Sequence, residues 1–504
     1  MRAVHLVPAG AVLIALGAIG GAAQLYHPAA PAPNPASTVA RQVAVTSAAR
    51  ACPPAPSGGS GPVALIAGAA SAPGAAGPAT AGGAAAAAGG VELTALPPAG
   101  LSLRPAGPVR APGAGVLSML TVPAGVSTSK KGGSVAQGWS VAASGAMAQA
   151  MEAEVAQSSG LASVRCGEPS SDLWFVGPGQ QNGAAQVQLD LMNIDSLAAS
   201  VDVSVITDAG QAQAGNDNGI TVPPHQTVTQ SLSSVASGSS VVAIEVHTSI
   251  GRVAADVSET SSHGGSASWL PSTAAPSTQL VIPGIPPSGS AAGLFLANPG
   301  TSSAKVSVVA ITPQGHYRPF GAQTVDLPGQ SASYVALTPL GGSPAALEIT
   351  SNVPVAAEVL VPGSGAGAFT AATAPISEQA VVAGNTTGSG LAASVALSAP
   401  AGQARVRLTE IARASSGGAR LTSSQVVSVK AGRTLVASVT APRGTRHGSP
   451  FAVVITPLAG SGPVYAARVE TQGQNTIVSI IPAASALSTI SLPSVRDSYR
   501  AISP

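Results

Sequence analysis

Residues 241–257 read VVAIEVHTSIGRVAADV, a pattern typical of two β-strands joined by a tight turn at Gly251. Val, Ile and Ala alternate with polar residues, which is the period-two pattern of half-buried strands. Residues 344–359 (PAALEITSNVPVAAEV) have the same form, and residues 451–469 (FAVVITPLAGSGPVYAARV) have it with a longer turn. The pattern predicts a β-hairpin that recurs along the chain.

Residues 147–166 (MAQAMEAEVAQSSGLASVRC) supply a fourth copy of this hairpin. Aligned on their last residues, which are Cys166, Val257, Val359 and Val469, the copies lie 91, 102 and 110 residues apart. About one hundred residues is the size of an immunoglobulin-like sandwich. Richness in Ala and Val could produce such strings by chance, but two further strand patterns keep their order between the hairpins. A true repeat is therefore favoured.

The repeat predicts an all-β chain of tandem immunoglobulin-like β-sandwich domains, which follows one N-terminal transmembrane or signal helix. The expected segments are a signal anchor or signal peptide at 1–27, a Pro/Ala-rich stalk at 28–45, sandwiches at 46–168, 170–268, 278–372 and 380–490, and a tail at 491–504. An Ala/Gly-rich insert at 68–90 is expected to form a loop of the first sandwich. Glu245, Glu348 and Glu358 fall on predicted strands, and we expect them to face solvent rather than to act in catalysis.

The N-terminus contains an uncharged stretch of 20 residues, Leu6–Leu25. This length suffices to span a hydrocarbon core, and the positive charge of Arg2 before it favours an N-terminus on the cytoplasmic side. We expect a single-pass protein of the cell membrane with an extracytoplasmic C-terminal region. If signal peptidase cuts at the small residues near Ala22, the protein is instead secreted. A buried core helix is the third possibility.

The chain has two cysteines, Cys52 and Cys166. An even pair in an exported chain favours one disulfide, although two unpaired buried thiols remain an alternative. Neither cysteine lies in a CxxC motif, so a metal or redox role is not indicated. The expected bridge ties the first strand of the first sandwich to its last.

Motifs that carry chemistry are absent from the sequence. None of the seven His residues forms a zincin pair, and there is no nucleophile elbow, P-loop or dinucleotide-binding fingerprint. Charged residues make up 8% and aromatic residues 3% of the chain, which argues against nucleic-acid binding. We therefore expect no catalysis, no cofactor and no metal. Arg405, Arg407 and Arg433 belong to a concentration of positive charge that could bind an anionic envelope polymer or lipid headgroups.

The sequence resembles an uncharacterised family of actinobacterial exported cell-envelope proteins. The resemblance rests on the single N-terminal apolar segment, on Cys52-Pro53 after the stalk, and on strands such as LWFVGPG and FLANPG. It covers about residues 46–490, and the family implies no catalytic residues. The resemblance also implies that the gene lies beside genes for envelope glycosyltransferases, which would give the protein an accessory role.

These observations predict a membrane-tethered, extracytoplasmic structural or interaction protein of the cell envelope. Its partner is expected to be an envelope polymer or a membrane protein, and its oligomeric state is not indicated. One alternative is an accessory protein of a membrane glycosyltransferase. Another is a hydrolase that acts on cell-wall glycan, with its site between domains.

Overall fold

The structure is a computed structural model that describes residues 41–54, 62–68, 89–100, 118–121, 125–127, 134–156, 162–212, 218–262, 267–287, 292–337, 340, 342–363, 367–388, 390–415, 419–473 and 476–492. Nearly all regular secondary structure in these residues is β-strand, so the all-β prediction is confirmed. Helix within them is limited to the short turns Gly145–Ala148, Gln180–Asn182 and Ser233–Ala236. The predicted segment 1–27 and most of the stalk, the insert and the tail lie outside the described residues.

The described residues contain no helix that is both long enough and apolar enough to cross a membrane.

Four segments of the chain repeat one strand order, and we call them modules 1 to 4. In each module, strands a, f and c form sheet A, and strands e, b, g and h form sheet B, in that spatial order. Strands a to g thus alternate between two sheets whose apolar faces meet, as in β-sandwiches, and strand h is added to the edge of sheet B. The core of module 2, for example, combines Leu189 and Val257 of sheet B with Val203 and Ile244 of sheet A.

The strands of modules 1 and 2 have the following bounds. Module 1 contains β2 (a, Ser47–Cys52), β3 (b, Pro62–Ile66), β4 (c, Val91–Leu96), β5 (e, Ser118–Thr121), the paired β6 (Gly125–Ser127) and β7 (Ser134–Ala136), β8 (f, Gly138–Ser144), β9 (g, Glu152–Ala156) and β10 (h, Ser163–Arg165). Module 2 contains β11 (a, Asp172–Pro178), β12 (b, Ala184–Asn193), β13 (c, Ala199–Thr207), β14 (Gly210–Ala212), β15 (Ile220–Val222), β16 (e, Gln226–Ser231), β17 (f, Val241–Ile250), β18 (g, Ala254–Ser261) and β19 (h, Ala267–Leu270).

Modules 3 and 4 follow the same scheme. Module 3 contains β20 (a, Ser277–Ile285), β21 (b, Ala292–Asn298), β22 (c, Ala304–Ile311), β23 (His316–Tyr317), β24 (Val325–Leu327), β25 (e, Ser331–Leu337), β26 (f and g, Ala345–Val361) and β27 (h, Ala368–Ala371). Module 4 contains β28 (a, Ala380–Asn385), β29 (b, Leu391–Ala399), β30 (c, Ala404–Arg413), β31 (Arg420–Val429), β32 (e, Arg433–Val439), β33 (f, Phe451–Pro457), β34 (g, Tyr465–Gln472) and β35 (h, Thr476–Pro482).

The recurring strand pair of the sequence is not a hairpin in the structure. Strand f pairs within sheet A and strand g pairs within sheet B, so the connection between them passes from one sheet to the other. In module 3 the two are one continuous strand, β26. Its Pro354 lies in the irregular stretch 352–354, which has no paired residue in either sheet, so its missing N–H costs no ladder bond.

The predicted alignment of the repeats also needs correction in two modules. In modules 2 and 3 the aligned residues Val257 and Val359 lie on strand g, pair with strand b and face the core, as the alignment requires. The residue at this position is Val155 in module 1, not Cys166, and Arg468 in module 4, not Val469. Residues 147–166 therefore hold strands g and h rather than a copy of the f–g pair. Because side chains alternate along a strand, the one-residue shift in module 4 places Val469 on the opposite face.

Sheet B of each module packs against sheet A of another, and these contacts close into a cycle. Strands of module 2 contact module 1, module 3 contacts module 2, module 4 contacts module 3, and module 1 contacts module 4. Modules 4 and 3 pack closely at Gly284. A Cβ atom placed on this glycine would lie only 2.4 Å from the Cβ atom of Ala467. Trp174 lies in the contact between modules 2 and 3.

Contacts divide the chain into a unit of residues Ala44–Thr489, which contains the four modules, and a unit of residues 1–43 and 490–504. Strand β1 (Arg41–Ala44) pairs with β36 (Thr489–Leu492) in a two-stranded sheet. Within the larger unit, Cys52 at the end of β2 and Cys166 after β10 form the predicted disulfide. The bridge therefore joins sheet A of module 1 to the end of its sheet B.

Candidate functional site

The four modules share one feature at the end of strand h. There the chain leaves strand h and runs beside strand a of its own module, where one residue forms a β-bridge. The bridging residues are Gly167, Thr273, Thr373 and Ser485, which pair with Ala51, Trp174, Val281 and Ala380. Each h strand also contacts the h strands of two other modules. The end of strand h of each module thus lies close to the ends of the other h strands.

All four bridging residues line a single cavity of about 500 Å³, which we call the central cavity. The segments that build it are 163–168, 269–275, 372–374 and 480–485, with contributions from strands β11 and β18. Its volume lies in the range of small-molecule binding sites. Because every module contributes to the wall, the cavity exists only when the cycle of modules is complete.

Three buried polar atoms of the cavity-lining residues have no hydrogen-bond partner within the described part of the chain. They are Oδ2 of Asp256, Nε1 of Trp269 and Oγ1 of Thr373. Asp256 and Trp269 are 3% and 5% exposed, so their side chains are not satisfied by bulk solvent. A buried polar group without a partner costs about 1–3 kcal/mol. The three atoms are themselves buried and are not part of the accessible surface of the cavity, although their residues line it.

Asp256 lies directly opposite Asp190 on neighbouring strands of sheet B. Burial, together with the nearby Asp190 carboxylate, raises the pKa of Asp256 well above its ordinary value. Burial thus favours the protonated form of Asp256, a carboxylic acid that both donates and accepts a hydrogen bond. Burial also raises the pKa of Asp190, to about 6, although Thr229 donates a hydrogen bond to its Oδ1 at 2.6 Å.

The Asp190 carboxyl gives the fold a pH dependence of predictable sign. Its folded pKa of about 6 lies above the ordinary value of 3.8, so the folded state binds a proton that the unfolded state has lost. The free energy of unfolding is expected to fall by about 2–3 kcal/mol as the pH rises through this interval. In urea unfolding between pH 3.5 and about 7, the native chain and the exposed control Asp326→Asn should lose about 2–3 kcal/mol more than Asp190→Asn, in which the other raised carboxyls such as Asp256 and Glu358 still contribute. Parallel curves for the native chain and Asp190→Asn would contradict the assignment.

The charged groups at the cavity wall belong to a balanced cluster of two arginines and two glutamates. Arg165 lies 2.7 Å from Glu152 and 3.3 Å from Glu168, and Arg50 lies 2.6 Å from Glu168. Burial disfavours the charge of Arg165, but Glu152 and Glu168 hold the pKa of its guanidinium above the ordinary value. Burial opposes the charge of Glu168 as well, yet the two arginines keep its pKa below the ordinary value. The cluster therefore brings no net charge to the cavity.

The expectation that Glu358 faces solvent is wrong. Glu358 points away from the core of module 3, but it is 0% exposed because module 2 covers that face. The backbone N–H of Val176 donates to its Oε2 at 3.2 Å, and burial raises its pKa well above the ordinary value. Glu245 and Glu348 are half-buried. Glu154 of module 1 occupies the position equivalent to Glu358 and is also buried, against module 4.

The structure separates the predicted arginine patch from the cavity. Arg405 and Arg407 lie on one face of β30 in sheet A of module 4, the former exposed and the latter half-buried. Arg433 lies on β32 in sheet B, beside Gly315 of module 3. None of the three lines the central cavity.

In the sequence, most of the cavity-lining segments fall at or near the boundaries of the expected sandwiches, which end at 168, 268 and 372. Their small and Pro-containing composition is typical of linkers, and nothing in it predicts that they meet. A usable signal was the acidic residue beside the core-facing residue of strand g, which is Glu154, Asp256 or Glu358 in three modules. An acidic residue at the same outward position in several repeats indicates a covered face.

One family model, described as a family of unknown function (DUF5719), matches residues 124–440. The match covers more than half of the 504 residues and extends from module 1 into module 4. It includes the cavity-lining segments of modules 1 to 3. The search of curated proteins finds no matching relative.

Proposed function

We propose that this chain, which belongs to the family of unknown function DUF5719, is a non-catalytic binding protein of the cell envelope whose central cavity receives a ligand. The observation that carries the proposal is the central cavity itself, which has a volume of about 500 Å³ and is lined by segments of all four modules. A cavity of this volume lies in the range of small-molecule binding sites.

The proposed location is outside the cytoplasmic membrane. The disulfide between Cys52 and Cys166 supports it, because structural disulfides persist in oxidising compartments. The uncharged segment Leu6–Leu25 supports a single-pass anchor, or secretion if it is removed. In this proposal the family is actinobacterial and exported, and the modules are immunoglobulin-like, since each has two facing antiparallel sheets. One form of the proposed binding function is a role as an accessory protein of a membrane glycosyltransferase.

The carboxyl groups of Asp256 and Glu168 favour a second candidate, a hydrolase of cell-wall glycan. Both residues line the cavity, and their surroundings shift their pKa values in opposite directions, as in an acid and its partner carboxylate. Binding without turnover is preferred, because one Glu168 oxygen is already held by Arg50 at 2.6 Å and Arg165 at 3.3 Å. Release of reducing sugar from wall glycan by the native chain, lost in both Asp256→Asn and Glu168→Gln, would establish the hydrolase instead.

A cavity-filling experiment tests the binding function. Ser272 and Ala374 line the cavity and are exposed, so Ser272→Trp and Ala374→Trp should fill it and leave the fold intact. Full-length protein is purified from its own envelope, and the co-purifying material is compared. We expect the two variants to lose most of this material. The matched controls Ser249→Trp and Ala209→Trp, exposed elsewhere on module 2, should retain it.

Two results would count against the cavity. Retention of the material by both filled variants would do so, as would absence of any material on the native chain. Loss of the material in the combined variant Arg405→Ala, Arg407→Ala and Arg433→Ala, with retention in the filled variants, would place binding on the arginine surface of module 4.

A further inference from the structure

We infer that two copies of this chain associate through strand β31 (Arg420–Val429), which pairs antiparallel with its own copy about a two-fold axis at Ser424. This association does not involve the central cavity, to whose wall β31 contributes no residue. Three properties of the strand support it: its place at the edge of a sheet, its lack of features that prevent strand pairing, and a side-chain pattern that is complementary to itself.

Strand β31 is the edge strand of sheet A in module 4. The order of this sheet is β28–β33–β30–β31, and all ten residues of β31 pair with β30. No second strand of the residues that the structure describes pairs with the other side of β31. An edge strand presents N–H and C=O groups that no neighbouring strand satisfies. In modules 2 and 3 the strands at this side of strand c are only two or three residues long, namely β14, β15, β23 and β24.

The edge of β31 lacks the usual protection against pairing. Natural edge strands are kept apart by short length, charged side chains, Pro or β-bulges. Residues 421–429 read LTSSQVVSV, without a charge, Pro or Gly, and their pairing with β30 has no register shift. Val426 is 49% exposed, and Thr422, Ser424 and Ser428 are exposed beside it. The edge is therefore accessible and able to accept another strand.

A continuous sheet made of two copies restricts the register. Gln425 pairs with the core residue Leu408 of β30, so odd-numbered residues of β31 face the core and even-numbered residues face outward. Directly opposite residues of antiparallel strands have their side chains on the same face. A two-fold axis perpendicular to the sheet keeps each face on its own side, so the axis must pass through a residue rather than between two.

Side-chain complementarity selects Ser424 as the axis residue. In this register Leu421 lies opposite Val427 on the core-facing side, and both are half-buried aliphatic residues in a single copy. On the outward side Thr422 lies opposite Val426. Pairing therefore extends the apolar layer beneath the sheet and covers the exposed Val426 side chain.

Charged side chains are kept apart in the same register. Arg420 lies opposite Ser428 of the second copy, whereas an axis at Gln425 would place Arg420 opposite Lys430, and directly opposed like charges are destabilising. Arg405 pairs with Ser428 of its own copy, so it lies about 10 Å, or two strand spacings, from Arg420 of the second copy. Salt screens charges at this distance, so we expect the association to strengthen as salt is added.

Cysteine cross-linking of the full-length protein tests the pairing. Both native cysteines belong to the disulfide, so a cysteine introduced on β31 is the only free thiol. Ser424→Cys places a thiol opposite its own copy, with Cα atoms about 4.5–5.5 Å apart, which suits a disulfide. We expect mild oxidation to convert most of this variant to a covalent dimer. The matched control Ser428→Cys, exposed on the same face, should stay monomeric, because its two thiols would lie about 27 Å apart.

Mixed variants test the register. Thr422→Cys and Val426→Cys lie opposite each other, so each should stay monomeric alone and the two should cross-link when mixed. Cross-linking of Ser428→Cys as readily as Ser424→Cys would overturn the inference.

A charge at the axis should prevent the association. Ser424→Lys opposes two ammonium groups and should weaken dimer formation by at least about tenfold in sedimentation equilibrium. The control Thr221→Lys, exposed on β15, should associate as the native chain does. Both variants should keep the native urea midpoint, which shows that the fold is intact.

Three other results would overturn the inference. They are a native chain that stays monomeric at every concentration, a Ser424→Lys variant that associates as tightly as the native chain, and a Ser424→Cys variant that cross-links in its own envelope to a different protein and forms no dimer. The last result would assign the edge of β31 to that other protein.

Discussion

Replacement of Arg468 by Met is expected to lower the free energy of unfolding by about 3–5 kcal/mol. Arg468 lies inside module 4 and is 0% exposed. Its Nη1 donates to Oε2 of Glu154 in module 1 at 2.9 Å, and its Nη2 donates to Ser163 of the same module at 2.6 Å. The substitution leaves the buried Glu154 carboxylate without its counter-ion, and an uncompensated buried charge is among the most destabilising changes known.

The effect should be largest at the contact between modules 1 and 4. Glu154 also accepts hydrogen bonds there from the backbone N–H groups of Ala383 at 2.5 Å and Gly384 at 3.1 Å. Glu154 and Arg468 therefore connect the two ends of the series of modules. Urea unfolding monitored by circular dichroism measures the change, and Arg413→Met, an exposed arginine of β30, is the matched control.

A double variant separates loss of the ion pair from loss of volume. Glu154→Gln combined with Arg468→Met removes both charges and keeps an acceptor for the Ala383 N–H. It should therefore be more stable than Arg468→Met alone. If Arg468→Met and Arg413→Met unfold at the same urea concentration, the buried pair does not hold the contact.

Loss of the disulfide is expected to cost about 5 kcal/mol in the chain-entropy description, because it closes a loop with a sequence separation of 114. The matched variant is Cys52→Ala with Cys166→Ala, which removes the bridge and leaves no free thiol. Its urea midpoint should lie well below that of the native chain. Added dithiothreitol should lower the midpoint of the native chain to that of the variant and leave the variant unchanged.

The position of the two sulfur atoms adds a kinetic control. Cys52 and Cys166 are both 0% exposed, so a reductant should act slowly on the folded protein and quickly once urea unfolds it. If the native chain and the double variant unfold at the same midpoint under oxidising conditions, the bridge does not stabilise the fold.

The strands and the disulfide could be predicted because their signals are local or compositional. Alternation of Val and Ile with polar residues marks strands such as β13 and β17, and two cysteines allow one pairing. The pairing of those strands could not be predicted in the same way. The alternation in 241–257 fits a hairpin and equally fits two strands in facing sheets, because both bury every second residue.

Module 4 shows why the register was missed. The sequence pattern favours Val469 at the core-facing position, where modules 2 and 3 have Val257 and Val359. The structure places Arg468 there, opposite Val395. A buried arginine is tolerated because Glu154, 314 residues away in the sequence, lies at hydrogen-bond distance. No pattern within the module contains that information.

The sequence does not predict the central cavity, for the same reason. Asp256, Trp269 and Thr373 belong to modules 2 and 3, but their wall is completed by residues of modules 1 and 4. Each contributing segment is short and consists mostly of residues with small side chains. Only the contacts between modules bring these segments together. The acidic residues of strand g, Glu154, Asp256 and Glu358, were the one repeated feature that pointed to covered faces, and of these Glu358 was expected to face solvent.

The closed cycle of modules restricts how this protein can evolve in length. An open array of repeats gains or loses a copy at either end, because each copy touches only its neighbours. Here the first and last modules are themselves neighbours, so duplication or deletion of one module would separate Glu154 from Arg468 and change the wall of the cavity. The copy number is therefore held at four, and growth is confined to connections between strands, such as the Ala- and Gly-rich residues between β3 and β4.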